Sequence, residues 1–131
     1  TMEGEADVAA LGVTVSGDLG APATVSVNPG TAEPTEDKIV VLARGAGEPI
    51  TAQDTVGANI ARTTWDNSVF ESTWDIGAPS RITVSATPDL TGLVGVPVGS
   101  RVVMVQAAGT DANGTAVPAR AYVIDIDAKL R

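Results

Sequence analysis

Aromatic and acidic side chains are concentrated in one turn-rich segment of the chain. Three of the four aromatic residues, Trp65, Phe70 and Trp74, fall within ten positions, and Glu71 and Asp75 stand among them. Aromatic rings form the best apolar walls for a ligand, so this clustering predicts a cleft. Paired carboxylates also carry out glycoside hydrolysis, but nothing in the sequence fixes the separation of these two. The same aromatic residues are equally compatible with core positions at a strand bulge.

Three other patterns have a chemical and a plainer interpretation. Asp125 and Asp127 are spaced to bind a hard cation, but alternating acids on a solvent-facing strand are far commoner. Residues 111–114 (DANG) resemble the start of a calcium loop without its later bidentate Glu, and Asn-Gly is typical of a tight turn. The glycines of residues 45–47 are not followed by a helix that would bind phosphate. We therefore predict no metal and no cofactor.

Composition excludes several classes of function. The chain of 131 residues contains no cysteine and no histidine, which removes disulfides, thiolate chemistry and His-based catalytic triads. Its formal net charge of -8 would repel a phosphate backbone, so nucleic acid is not expected as a partner. No run of about 18 apolar residues predicts a membrane span, and the first residues lack the pattern of a signal peptide.

Short runs of β-branched residues, separated by Gly, Pro, Asn and Asp, predict a β-dominated domain. In the last run, Tyr122, Ile124 and Ile126 alternate with Val123, Asp125 and Asp127, which predicts one packed and one solvated face. Residues 28–37, rich in Pro, Gly and acids, predict a loop. The predicted strands are residues 8–16, 23–27, 38–44, 55–63, 81–85, 101–107 and 121–128.

One short helix is expected in the second half of the chain. Thr87 can cap it, Pro88 fits its first position, and Asp89 favours its positive end. Gly92 and Gly95 would end it within two turns.

Three segments in order resemble the FKBP family of peptidyl-prolyl cis-trans isomerases. Residues 42–56 (LARGAGEPITAQDTV) resemble that family's glycine-containing turn and the strand after it. Residues 70–74 (FESTW) are similar to its Phe-Asp-Ser-Ser segment, and residues 92–102 (GLVGVPVGSRV) to its passage from helix to strand. Residues 122–126 (YVIDI) resemble its closing strand, so the likeness covers residues 40–130.

This resemblance implies an α+β, β-dominated fold in which a twisted antiparallel sheet wraps one short helix. It also implies an apolar site between helix and sheet. Rotation of an Xaa-Pro amide crosses a barrier of about 20 kcal/mol because resonance holds the amide planar. A dry, preorganised pocket favours the twisted amide without any nucleophile or metal.

Carried over position by position, the resemblance implies that Phe70 forms a wall of the pocket. It also implies that Glu71, which stands where the family has Asp, is a polar anchor. We predict Phe70 and Glu71 as catalytic residues. Ile60 and Ile124 stand where the family has aromatic residues, and the long loop before the last strand lacks the family's tyrosine. The family's floor tryptophan corresponds to Leu90 with one placement of the gap and to Asp89 with another. Most of the aromatic cage is therefore missing, which predicts weakened isomerase activity. The predicted pocket lining is Ile60, Trp74, Ile82, Leu90, Val117 and Ile124.

We interpret the chain as a divergent bacterial FKBP-type isomerase that acts on proline-containing polypeptides. One alternative is a catalytically degenerate FKBP-like module that binds peptides as a chaperone or supports a neighbouring FKBP-like domain. The other is a structural β domain of an envelope protein, for which we expect a sandwich without a helix near residues 87–94. We expect an N-terminal β segment and loop over residues 1–37, an FKBP-like domain over residues 38–131, and an exported, extracytoplasmic or envelope location.

Overall fold

A six-stranded antiparallel sheet dominates the computed structural model, which describes residues 3–19, 21–86 and 88–130. The strands are β1 (Val13–Ser16), β2 (Thr24–Val27), β3 (Lys38–Ala43), β4 (Thr55–Thr64), β5 (Phe70–Ser72), β6 (Ser80–Thr83), β7 (Arg101–Gln106), β8 (Gly109–Thr110), β9 (Ala116–Val117) and β10 (Arg120–Leu130). The strand order of the main sheet is β3-β7-β10-β4-β5, and β6 pairs with β4 as well. The strands β1 and β2 form a separate two-stranded ribbon, and β8 and β9 form another. The predicted fold class is confirmed.

The helices are short and lie outside the sheet. They are α1 (Glu5–Ala10), α2 (Thr73–Ile76) and two 3₁₀ segments, Val84–Ala86 and Pro88–Leu93, the latter kinked at Leu90. The predicted helix thus has a counterpart from Pro88, while its proposed cap, Thr87, lies outside the described residues. None of the helices in the described ranges is long and apolar enough to cross a membrane.

One hydrophobic core lies between one face of the sheet and the 3₁₀ segment Pro88–Leu93. Alternate residues of β7 and β10 point into it, as the period of two in a strand requires. Pro49 pairs with Pro97, and Ile50 exchanges backbone hydrogen bonds with Gly95 and Val96, which closes one end of this core. Its buried members are Ile50, Val56, Ala58, Ile82, Val84, Leu90, Leu93, Val96, Val102, Met104, Ile124 and Ile126.

A second core covers the opposite face of the sheet. The β1-β2 hairpin and α1 pack there against the remaining residues of β7 and β10. The solvated face predicted for β10 is therefore wrong at two of its three positions, because the hairpin buries Val123 and Asp125 and leaves only Asp127 exposed. The buried members are Val8, Val13, Ala23, Val25, Val27, Leu42, Ala61, Val103, Val105, Ala121 and Val123.

The first predicted strand, residues 8–16, is helical over its first three residues. Residues 5–10 form α1, with Glu5 and Asp7 in its first turn, where acids favour the positive helix end. Val8 is the only buried residue of this helix, and it packs against the second core. Its neighbours therefore do not alternate between buried and exposed positions as the residues of a strand would. Gly12 then reverses the chain at a φ of 79°, and the strand begins at Val13.

A fully buried arginine joins the hairpin to the sheet. Arg101 on β7 has no exposed surface, and its Nε and Nη2 donate to the two carboxylate oxygens of Asp125 at 2.6 and 2.9 Å. Its Nη2 also donates to the carbonyls of Asp18 and Ala21 at 3.0 and 3.1 Å, and its Nη1 donates to the carbonyl of Gly17. One guanidinium therefore satisfies a buried carboxylate and three carbonyls of the β1-β2 connection.

A turn and a loop that the sequence predicts are both observed. The Asp111 side chain accepts from the backbone N–H groups of Asn113 and Thr115 at 2.9 and 3.0 Å, and Gly114 has a φ of 78°. This geometry is the tight turn predicted for residues 111–114. Residues 28–37 contain no helix or strand, as expected for a loop.

Candidate functional site

A cavity of about 550 Å³ opens where strand β4 loses its partner. Strand β5 pairs with residues 61–63 of β4, and β6 pairs with residues 55–58 of the same edge. Between them the chain leaves the sheet as α2. The Thr73 hydroxyl accepts from the Ile60 N–H at 2.9 Å and donates to the Asn59 side chain at 2.9 Å, and thus replaces the missing strand.

The local sequence explains this excursion. The Ser72 hydroxyl accepts from the Trp74 N–H at 3.2 Å and so caps α2. Gly77 ends the helix in the left-handed region, at a φ of 68°, and its N–H bonds to the Thr73 carbonyl. A single capped helical turn therefore separates the two edge strands and holds the cavity open.

An ion pair forms part of the cavity wall. Arg62 and Glu71 are paired across β4 and β5, and both Nε and Nη2 of Arg62 donate to Oε1 of Glu71, at 3.1 and 2.8 Å. The hydrogen bond to Glu71 raises the pKa of Arg62, so the guanidinium stays charged. Tyr122 lies opposite Arg62 on the neighbouring strand, and its hydroxyl donates to Gln106 at 3.1 Å.

The rest of the lining combines apolar surface with hydroxyl groups. Phe70 and Ile76 are 41% and 73% exposed, which is unusual for large apolar side chains, and both border the cavity. Asp75 also borders it, and among the described residues its carboxylate has no hydrogen-bond or ion-pair partner. The lining residues are Ile60, Arg62, Phe70, Glu71, Ser72, Thr73, Asp75, Ile76, Ser80 and Tyr122.

Of the eight residues predicted for the site, Ile60, Phe70 and Glu71 line this cavity. Ile82, Leu90 and Ile124 are buried in the first core. The positions that would form the floor of an apolar cage are therefore occupied by packed aliphatic side chains and not open to a ligand.

The two remaining predicted residues, Trp74 and Val117, are not among the residues that line the cavity. Val117 is half-buried in the β8-β9 ribbon, opposite Gly109. Trp74 packs against the second core, as does Trp65, whose indole N–H donates to the Thr31 carbonyl at 2.9 Å. The aromatic cluster of the sequence is thus divided, with the two tryptophans on the second core and Phe70 at the cavity.

No protein-family model matches the chain, and no match is found among curated proteins. Solved structures match it clearly. FkpA from Escherichia coli superposes with a TM-score of 0.57 at 18% identity, over 95% of this chain and 55% of FkpA. The N-terminal domain of FKBP42 from Arabidopsis thaliana gives a TM-score of 0.59 at 12% identity, over 81% of this chain and 99% of that domain.

The chain has an FKBP-like fold. A multi-domain immunophilin from Arabidopsis thaliana also superposes on this chain, with a TM-score of 0.55 at 13% identity over 73% of this chain's residues. The chain spans about half the length of FkpA and 43% of the multi-domain immunophilin. These identities support a shared fold, and the resemblance read from the sequence is confirmed at that level. The β sandwich expected for a structural envelope domain is not the fold observed.

Sequence reasoning missed Arg62, the residue that brings a positive charge to the lining of the cavity. A signal was available, because Arg62 is the only charged residue of β4 and is two positions from Ile60, on the same face. Its charge places water-binding groups in a wall that the resemblance predicted to be apolar. In the described ranges, no three acidic side chains converge as a metal site.

A second cavity of about 510 Å³ lies between α1, β1 and β3, on the other side of the molecule. Val8, Val13 and Leu42 form its apolar wall, and Glu5 is the only charged residue that lines it. Its other polar side chain is Thr14, whose hydroxyl already donates to the Asn28 side chain at 2.6 Å. The β4–β5 cavity, which joins apolar surface, hydroxyls and charges, is the better candidate site.

Proposed function

We propose that this chain binds proline-containing polypeptide in the β4–β5 cavity and accelerates Xaa-Pro isomerisation only weakly. The observation that carries the proposal is the cavity itself, in an FKBP-like fold, at a break in the sheet edge bordered by Phe70 and Ile60. Its volume of about 550 Å³ lies within the usual range of ligand sites.

Binding is supported by apolar surface that the fold leaves uncovered. Phe70 and Ile76 border the cavity, and both side chains are exposed. A proline ring with a neighbouring apolar side chain would cover this surface. The hydroxyls of Ser72 and Ser80, also in the lining, supply hydrogen-bonding groups for the backbone of an extended peptide.

Weak catalysis follows from the chemistry of the walls. Acceleration of Xaa-Pro rotation requires a site that favours the twisted amide over its planar, water-solvated form. The Arg62–Glu71 pair keeps charge in the wall, and Ile82, Leu90 and Ile124 are buried below it. The cavity therefore supplies apolar contact for binding but little of the enclosed, dry environment that isomerisation needs.

A nuclear magnetic resonance titration of the isotope-labelled protein with a capped Leu-Pro peptide tests the proposal. We expect shifts of the amide signals of Ile60, Ser80 and Tyr122, which line the cavity. Phe70→Ala should abolish these shifts, whereas Val117→Ala, at a predicted pocket position outside the cavity, should preserve them. Shifts that persist in Phe70→Ala, or none in the folded wild type at millimolar peptide, would contradict binding at this site.

The extracytoplasmic location, the bacterial source and a neighbouring FKBP-like domain in the parent protein stay predictions. The neighbouring domain is compatible with the coverage of 43% of a multi-domain immunophilin. A full-length sequence of the parent protein would test all three together.

A further inference from the structure

We infer that the cavity selects proline-containing segments with a basic residue close to the proline. This inference rests on the proposed function and names the class of peptide that the same site prefers. It begins from the charges at the cavity. Arg62, Glu71 and Asp75 line it, so the wall carries one positive and two negative charges.

The positive charge is already engaged. Nε and Nη2 of Arg62 both donate to a single oxygen of Glu71, and the distances of 3.1 and 2.8 Å leave no room for a ligand between them. The other oxygen of Glu71 has no partner among the described residues, and 58% of that side chain is exposed. A ligand at this wall therefore meets the second Glu71 oxygen as an acceptor, beside a guanidinium whose charge Glu71 already balances.

Asp75 supplies the unbalanced charge. It is exposed, lies on α2 next to Ile76, and its carboxylate has no partner in the part of the chain that the structure describes. Because Arg62 and Glu71 neutralise one another, Asp75 leaves the cavity with a net charge of -1. A nearby cation, Arg81, is not among the lining residues.

The apolar surface and this carboxylate are adjacent, which fixes the pattern of the preferred ligand. Proline and an apolar neighbour cover Phe70 and Ile76, and a Lys or Arg side chain close in sequence reaches Asp75. The formal charge of -8 on the whole chain adds a weaker attraction for cationic segments, which salt screens. Acidic peptides are disfavoured by both effects.

Three capped tetrapeptides that differ only in their first residue test the inference: Lys-Leu-Pro-Ala, Gln-Leu-Pro-Ala and Glu-Leu-Pro-Ala. We expect the Lys peptide to bind about two- to five-fold more tightly than the Gln peptide, as one exposed ion pair allows, and the Glu peptide to bind more weakly than both. The preference for the Lys peptide should shrink in about 0.5 M salt, because the screening length is then about 4 Å.

Asp75→Asn should remove the preference for Lys, so that the Lys and Gln peptides bind the variant with equal affinity, and an amide spectrum like that of the wild type shows that the variant is folded. Asp7→Asn is the matched control, because it removes one exposed negative charge on α1, outside the cavity lining, and should keep the preference. Equal binding of the Lys and Gln peptides to the wild type, or a preference that survives Asp75→Asn, would overturn the inference and leave the proposed function standing. If no peptide bound at all, both would fall.

Discussion

Replacement of Arg101 tests whether the N-terminal hairpin and the sheet are stabilised by the same buried contact. Arg101→Leu leaves the buried carboxylate of Asp125 without a counter-charge and removes the donors to the carbonyls of Gly17, Asp18 and Ala21. Loss of one partner of a buried ion pair costs about 3–5 kcal/mol. Against a total stability of about 5–15 kcal/mol, this is a large fraction of the free energy of unfolding.

Urea unfolding followed by tryptophan fluorescence measures the effect, since both tryptophans pack against the second core. For an m-value of about 2 kcal/mol/M, the unfolding midpoint of Arg101→Leu should fall by about 2 M. The double variant Arg101→Leu with Asp125→Leu should recover about 1–3 kcal/mol of the loss, because it removes the unpaired buried charge.

Arg44→Ala is the matched control. It also removes an arginine paired with an acid, Glu3, but more than half of each side chain in that pair is exposed. Its expected cost is at most about 1 kcal/mol. If Arg101→Leu cost no more than Arg44→Ala, or if the double variant were less stable than the single one, the assignment of a stabilising buried network would be refuted.

Two further predictions concern the turn that leads into strand β5. Asn67 holds a φ of 61° and exchanges two hydrogen bonds of 2.9 Å with the backbone of Val27, so Asn67→Ala should cost about 1–3 kcal/mol in urea unfolding. Asn67→Gly removes the strain of the positive φ but still lacks the two hydrogen bonds to Val27. Equal stability of the wild type and Asn67→Gly would refute a stabilising role for these hydrogen bonds. Asp66 accepts hydrogen bonds from Ser68 and Thr64, which lower its pKa to about 2 from an ordinary 3.8. Because the folded-state pKa is depressed, its contribution to stability is present above about pH 4 and is lost as the pH falls towards 2. Carboxyl chemical shifts should titrate near 2, and a midpoint near 3.8 would contradict the assignment.

Much of the sheet was predictable because its residues follow local rules. β-branched runs bounded by Gly and Pro place β3, β4, β7 and β10 within about two residues of their observed bounds. Helix α1 was missed because a lone Val8 among alanines gives no helical period. Strand β5 was missed because a three-residue strand is too short to show alternation.

The candidate site was less predictable, for reasons that lie in tertiary structure. Alternation marked Asp125 as solvent-facing, but a hairpin distant in sequence covers it and Arg101 neutralises it. The cavity depends on where two edge strands meet β4, and no local pattern gives that register. The resemblance placed Ile60, Phe70 and Glu71 in the lining, and the lone charge of β4 was an available clue to Arg62.

We propose that the β4–β5 cavity binds Xaa-Pro segments and isomerises them only slowly. Cis/trans exchange of a capped Leu-Pro peptide, measured by magnetisation transfer with and without the protein, tests it most directly, since uncatalysed exchange takes tens of seconds or longer. We expect peptide binding with a small acceleration of exchange, and we expect Phe70→Ala to lose both. Exchange that is as fast with Phe70→Ala as with the wild type, or no binding by the folded wild type, would contradict it.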